Sequence, residues 1–248
     1  LTKRVTALGL TVKRVTVVGD NLPDISMAIK EAIQRKPIFV LTTGGLGPTF
    51  DDMTLEGLAQ ALGCQTIVDD QALKMVTEKY RIYAQKTKVE EIKLTSHRVK
   101  MAKIPECSEP VANPVGTAPG VMIKHKEVTI FALPGVPSEM KGIFEQSLVP
   151  LLKNAGHGVI FFEASITSVN VMESEMAPSV DVLMKDNPYV YIKSHPRGAE
   201  TTPVIEFHVS TTAKDSEAAR NRVNKALSQL TEMIKEKGGT IKLTKLED

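Results

Sequence analysis

The sequence predicts an α/β protein whose sheet carries helices on both faces, followed by a small α+β unit. Three observations predict it. Apolar strand-like runs alternate with amphipathic helical stretches from residue 12 to about residue 84, the pattern of βα units. Glycine- and proline-rich turns at 42–49, 113–120 and 134–137 punctuate the chain. After Asn154-Ala-Gly-His-Gly158 the order changes to strand, helix, strand, strand, helix. This places a boundary near residue 157 and divides the chain into 1–157 and 158–248.

The elements follow in order. Leu1, Val5 and Leu8 share one face of a helical stub that Gly9 closes, and 12–18 reads as a short buried strand ending at Gly19-Asp20. Asp20 or Asn21 caps the next helix, with Pro23 in its first turn and Ile25, Ala28, Ile29, Ala32 and Ile33 on one face up to Lys36. Pro37 breaks that helix, and Ile38-Phe39-Val40-Leu41 is a wholly apolar strand. Helices from about Met53 to Leu62 and over 71–84 come next, and 86–110 is polar with weak periodicity. Residues 121–124 and 128–133 make a hairpin around Lys126-Glu127, and Val136, Met140, Ile143, Phe144 and Leu151 mark the following helix. The second domain reads as strand 160–171, helix 173–185, strands 189–193 and 203–210, and helix 216–237.

Composition excludes several classes. Hydrophobic residues at 42% and charged residues at 24% suffice for a core without staples. Thirty-one Lys and Arg against 29 Asp and Glu leave +2, so no strong nucleic-acid field exists at chain level. No run approaches the roughly 18 apolar residues of a membrane span. Cys64 and Cys107 form neither CxxC nor a zinc spacing, which points to a reducing cytoplasm, and Cys64 reads as a packed thiol at a helix end. His97, His125, His157, His195 and His208 lack ligand spacing, Ser138 lacks a GxSxG elbow, and the methionines read as core filler. With no initiator Met and Leu1 already inside an apolar stretch, the chain reads as clipped at its N-terminus.

Chemistry concentrates in Thr42-Thr43-Gly44-Gly45-Leu46-Gly47-Pro48-Thr49-Phe50-Asp51-Asp52-Met53-Thr54, between an apolar strand and a helix. Ligands of open α/β sheets sit at such carboxyl ends of strands. Three glycines let backbone approach a ligand, successive N–H groups can cradle an anion, and Thr43 and Thr49 add hydroxyls. It is neither a P-loop nor GxGxxG. The alternative is a tight strand–helix turn with Asp51 or Asp52 as N-cap, which explains one aspartate and leaves the rest of the motif without a role. Paired carboxylates beside a phosphate repel it. Either a Mg²⁺-like ion on Asp51 and Asp52 cancels that repulsion, or the carboxylates accept ribose or pterin N–H and O–H groups without a metal.

TGGLGPTxDDxT resembles the signature of the competence/damage-inducible (CinA) family, whose N-terminal domain is molybdopterin-binding-like and related to MoaB and MogA. Asn113-Pro-Val-Gly-Thr-Ala-Pro-Gly120, Leu133-Pro-Gly-Val-Pro-Ser-Glu-Met140 and Arg98-x-Lys100-Met101-Ala102 match it too. The resemblance implies a MoaB/MogA-like layered sheet with helices on both faces, plus a small KH-like α+β domain. It implies a first strand and an acidic loop before Leu1, and a short form without the amidase-like domain of bacterial relatives. It also implies that the loop binds the phosphate end of molybdopterin, a related pterin or a nucleotide. Gly44, Gly45, Gly47, Thr49, Asp51 and Asp52 would form the main wall of the site, Gly116, Thr117 and Ala118 a second, and Pro134, Gly135, Ser138 and Glu139 a third. The third segment has a plainer reading as a helix start, with Pro137 in the first turn and Glu139 complementing the dipole.

Pyrophosphate cleavage of an ADP-ribose-like nucleotide, an activity attributed to that family, would rest on Asp51, Asp52 and Glu139. A divalent ion would sit on the two aspartates, with Lys100 or Arg98 as a point charge on the distal phosphate. The alternative is a non-catalytic molybdopterin- or nucleotide-binding protein. No GXXG occurs between 158 and 240, and the basic turn Ser194-His-Pro-Arg-Gly198 carries one glycine, so the second domain reads as an interaction or dimerisation unit. A nucleic-acid role ranks last, and a homo-oligomer, a dimer first, is expected.

Overall fold

The computed structural model describes residues 1–88, 93–156, 158–197 and 203–242; the readings of His157 and of the turn at Gly198 lie outside the described residues. The chain divides into Arg14–Leu151 and a second unit in which Leu1–Lys13 joins Leu152–Asp248. Helix α1 (Thr2–Ala7) explains that grouping, because it packs on strand 160–169, and a Cβ at Gly9 would meet the Val159 carbonyl oxygen at 2.4 Å.

The run at 12–18 forms no strand, contrary to the expectation from its apolar pattern. Val15, Val17 and Val18 are exposed, Val17 by 92%, and neither edge of the sheet described below takes up their backbone. Alternating apolar residues make a strand only where a ladder receives them.

In the unit Arg14–Leu151, helix α2 (Leu22–Gln34) starts where the Asn21 side chain accepts the Asp24 N–H at 3.2 Å, with proline in the first turn. Strand β1 (Phe39–Thr43) leads through the glycine loop to α3 (Thr54–Leu62), which Gly63 ends in the left-handed conformation. Next come β2 (Thr66–Val68), α4 (Asp70–Thr87), α5 (Ser96–Lys100), β3 (Lys103–Pro105) and β4 (Ser108–Val111). The predicted hairpin is β5 (Gly120–His125) and β6 (Val128–Leu133), followed by α6 (Pro137–Ile143), a π-helical turn over Phe144–Leu148, and α7 (Val149–Ala155).

The main sheet runs β1-β6-β5-β4 and is mixed: β1 is parallel to β6, and β5 and β4 continue antiparallel. β2 and β3 pair antiparallel as a separate ribbon. Ile130 and Ala132 of β6 and Val121 and Ile123 of β5 face a core with Ile25 and Ile29 of α2, Leu55 and Leu58 of α3, and Val76 of α4. Gly57 lets α3 lie against α2, since a Cβ there would meet Ile25 Cγ2 at 2.3 Å. Phe131 and Leu133 point the other way along β6 and are buried too, Phe131 facing the Phe39 ring at 6.3 Å. β6 is therefore buried on both faces, and its carboxyl end lies beside that of β1.

The second unit contains β7 (Ile160–Val169), α8 (Glu173–Asp186), β8 (Val190–Pro196), β9 (Val204–Ala213), α9 (Ser216–Glu236) and β10 (Thr240–Lys242). Its antiparallel sheet has the order β10-β7-β9-β8. Ile205, Phe207 and Val209 alternate on β9 and meet Val223, Ala226, Leu230 and Ile234, spaced as one face of α9. Among the described residues no helix is long and apolar enough to cross a membrane.

Candidate functional site

The parallel pair β1/β6 brings two of the sequence motifs to one edge of the sheet. The Gly44 N–H extends the ladder by donating to the Leu133 carbonyl at 2.9 Å. A Cβ on Gly135 would stand 3.3 Å from Gly44 Cα, so the backbones of the two turns touch. Gly44 and Gly45 adopt φ of +93° and +68°, the left-handed region in which glycine is strain-free. Gly45 is constrained further: its carbonyl accepts the Thr54 N–H at 3.2 Å, and a Cβ would meet Thr54 Oγ1 at 2.2 Å. Leu46 is buried in the core and anchors the loop.

Beyond the glycines the loop closes on itself. Thr49 N–H donates to Asp52 Oδ2 at 2.8 Å, and Thr49 Oγ1 lies 2.6 Å from the same oxygen and in hydrogen-bond contact with Asp51 Oδ1. One hydroxyl proton thus faces two carboxylates, so one of the two contacts is made without a donor. Lys100, from α5, donates its ammonium to the Thr49 carbonyl oxygen. Burial pushes the Asp52 carboxyl up, but the Thr49 hydroxyl and N–H, the Gly47 N–H and Lys100 together hold it below the usual carboxylate value.

The capping alternative does not hold. The N-cap of α3 is Met53, whose side chain makes no capping hydrogen bond, while both aspartates turn back to Thr49. The first turn of α3 therefore starts without a side-chain cap, beside a small cleft lined by Gly45, Leu46, Gly47, Asp52, Leu55, Glu56, Lys100 and Lys103, in which Glu56 is a carboxylate of that same turn.

The second and third motifs are joined by Asn113, a buried residue of the second motif to which sequence reasoning gave no role. Its Nδ2 donates to the Ala118 carbonyl oxygen at 2.8 Å and to Glu139 Oε2 at 2.7 Å, and its Oδ1 accepts from Val115 and Gly116 N–H at 3.0 and 2.8 Å. A Cβ on Gly116 would fall 1.9 Å from the Glu139 carboxyl carbon. Glu139 is thus committed to the turn at 113–118. Among the described residues no three His, Cys, Asp or Glu converge as a metal-holding group.

The remaining predicted residues separate. Thr43 ends β1 with an exposed side chain, Thr117 is half-buried, Ala118 and Pro134 are buried, and Ser138 is exposed in the first turn of α6. Arg98 does not share the Lys100 position: its guanidinium stacks 4.3 Å over the Tyr80 ring and donates to the Lys93 carbonyl at 2.5 Å. Phe50, at the crest of the loop, is 88% exposed. The signal for it was a bare aromatic inside a polar motif, in a chain with only 4% aromatic residues.

Residues 1–154 match the family described as a probable molybdopterin binding domain. The chain is 43% identical to a protein of Pyrobaculum aerophilum over 96% of its own length and 87% of that protein's. It is 41% identical to one of Sulfurisphaera tokodaii over 97% and 89%. It is also similar to the crystal structure of CinA, a protein of unknown function from Thermoplasma acidophilum, with a TM-score of 0.51 and 40% identity over 58% of this chain and 79% of that one.

Proposed function

The chain belongs to the probable molybdopterin binding domain family, as a CinA-like member, and on that premise we propose that its glycine loop binds the phosphate end of a pterin or nucleotide. The observation that carries this reading is the start of α3. Apart from the Thr54 N–H, which the Gly45 carbonyl takes, its first-turn N–H groups have no side-chain cap and open on the cleft that Lys100 and Glu56 line, while Asp51 and Asp52 are drawn to Thr49. A helix N-terminus with a neighbouring ammonium is a site for an anion. Gly135, packed on Gly44, keeps the neighbouring turn free of side-chain bulk.

A second reading, cleavage of the pyrophosphate bond of an ADP-ribose-like nucleotide, is favoured by the two carboxylates that share the Thr49 hydroxyl. They are hard oxygen donors, two in number, which fits a Mg²⁺-type ion that completes its shell with water and ligand phosphate. Asp51 and Asp52 would hold it, and when bound it neutralises phosphate charge and acidifies a water. The chain's own residues position the ligand: Lys100 supplies positive charge for the phosphates, and the Thr49 N–H and hydroxyl hold Asp52 in place and ionised. Glu139, engaged with Asn113, is assigned to the wall and not to this step.

Release of AMP from ADP-ribose, with Mg²⁺ and with chelator, tests the second reading separately from the first. Chelator-sensitive turnover that Asp52→Asn abolishes supports hydrolysis. Binding without turnover leaves the protein a phosphate-end binder.

A further inference from the structure

The two cysteines lie far apart in sequence, yet their Sγ atoms stand 2.9 Å apart in the structure. Their backbone positions explain the approach. β2 pairs with β3 as Thr66 opposite Pro105, Ile67 opposite Ile104 and Val68 opposite Lys103. The same register places Gln65 opposite Glu106, whose N–H donates to the Gln65 carbonyl at 2.9 Å, and Cys64 opposite Cys107. At the other end Asp69 N–H donates to the Ala102 carbonyl at 3.0 Å. The hydrogen-bonded pairs are therefore 65/106, 67/104 and 69/102, and the cysteines occupy a non-hydrogen-bonded pair, where facing side chains come closest. Pro105, which has no N–H to give, sits in the same class of position. Cα separations typical of such pairs fall within the range that a disulfide spans.

We propose that Cys64 and Cys107 form a reversible disulfide that staples the end of α3 to the turn between β3 and β4. Both sulfurs are reachable, Cys107 being exposed and Cys64 half-buried. The oxidant is a small-molecule disulfide. One protein thiolate attacks it, forms a mixed disulfide and expels one reagent thiol. The second protein thiol then loses its proton to solvent and attacks the protein-bound sulfur, expelling the second reagent thiol. Two S–H bonds are lost, one protein S–S bond is gained, and the reagent disulfide is reduced to two thiols. Burial and the neighbouring Cys64 push the Cys107 thiol up to about 11, so the exchange accelerates as pH rises above neutrality.

The staple lies on the element pair that carries the loop. Lys100 already binds Thr49 in the loop before α3, and the disulfide ties the end of that helix to the strands that follow Lys100. Oxidation closes a loop over a sequence separation of 43 residues, which limits the unfolded chain.

The test uses the full chain incubated with oxidised glutathione, then intact mass and non-reducing peptide mapping. The expected result is loss of both free thiols, a peptide linking residues 64 and 107 within one chain, and a folding equilibrium raised on the order of a hundredfold. Dithiothreitol should reverse that gain, and both Cys64→Ser and Cys107→Ser should lack it. Glutathione left on both cysteines, a link between two chains, or both thiols still free would overturn the proposal.

Discussion

The Asn113 side chain donates to Glu139 and to the Ala118 carbonyl while accepting two backbone N–H groups, so a single buried carboxamide holds the second wall of the site against the third. Removing it strands the Glu139 carboxylate and the Val115 and Gly116 N–H groups. Asn113→Ala should lower unfolding stability by about 2–4 kcal/mol, the cost of several broken bonds to partly buried polar groups, measured as a shift in the denaturant midpoint. Asn113→Asp should be at least as damaging at neutral pH, because a carboxylate then faces Glu139, and should recover as acid protonates one of the two.

Gly116 and Glu139 should be coupled. Gly116→Ala puts a methyl group where the Glu139 carboxyl sits and should cost about 1–3 kcal/mol. In a Glu139→Ala background the same substitution should cost less, and a double-mutant cycle gives the difference. Additive costs would show that the crowding is relieved elsewhere.

The loop should loosen in acid. The folded Asp52 carboxyl lies below its ordinary value of 3.8, so its contribution to stability is complete above that value and disappears as pH falls through the folded one. Amide hydrogen exchange at Thr49, taken relative to its intrinsic rate at each pH, should therefore accelerate below about pH 4 in the native protein. In Asp52→Asn it should be faster at neutral pH and lack this acid step.

Phe50 should matter to ligand and not to fold. Its ring is 88% exposed, so Phe50→Ala should leave the melting temperature within about a degree, an effect of surface size. If the ring stacks on a pterin or adenine, affinity should drop by roughly three- to tenfold. Equal affinity would remove Phe50 from the site.

Much of this arrangement was legible in the sequence because local chemistry specified it. The apolar run 38–41 specifies a strand, Asn21 and Pro23 mark a helix start, and Lys126-Glu127 turns a hairpin; β1, α2 and β5–β6 appear there, although Ile38 lies outside β1 and β1 is only half-buried. The glycine pattern located the loop, since Gly44 and Gly45 occupy conformations that other residues resist. What the sequence did not show depends on pairing over distance. The run at 12–18 has a strand's pattern and no ladder, whereas the three-residue strands β2 and β3 have little pattern and pair with each other. The approach of Cys64 to Cys107 follows from that short ribbon, and spacing alone could not reveal it. Asn113 was hidden for a similar reason: it reads as one turn residue among several until Glu139 is placed beside it. For Asp51 and Asp52 the structure decides against the capping alternative alone, since neither caps α3 and both turn to Thr49.

The most direct test of the phosphate loop is calorimetric titration of ADP-ribose and of a phosphorylated pterin into the native protein and Gly45→Val. The valine side chain would collide with Thr54 in a left-handed backbone position, displacing the loop from the start of α3 while the buried face of β6 keeps the fold. With the variant shown to be folded by its cooperative melt, the account predicts measurable affinity for at least one of these ligands in the native protein and a loss of a hundredfold or more, about 2.7 kcal/mol, in the variant. Equal affinity in both proteins, or no binding of either ligand by the native chain, would contradict it.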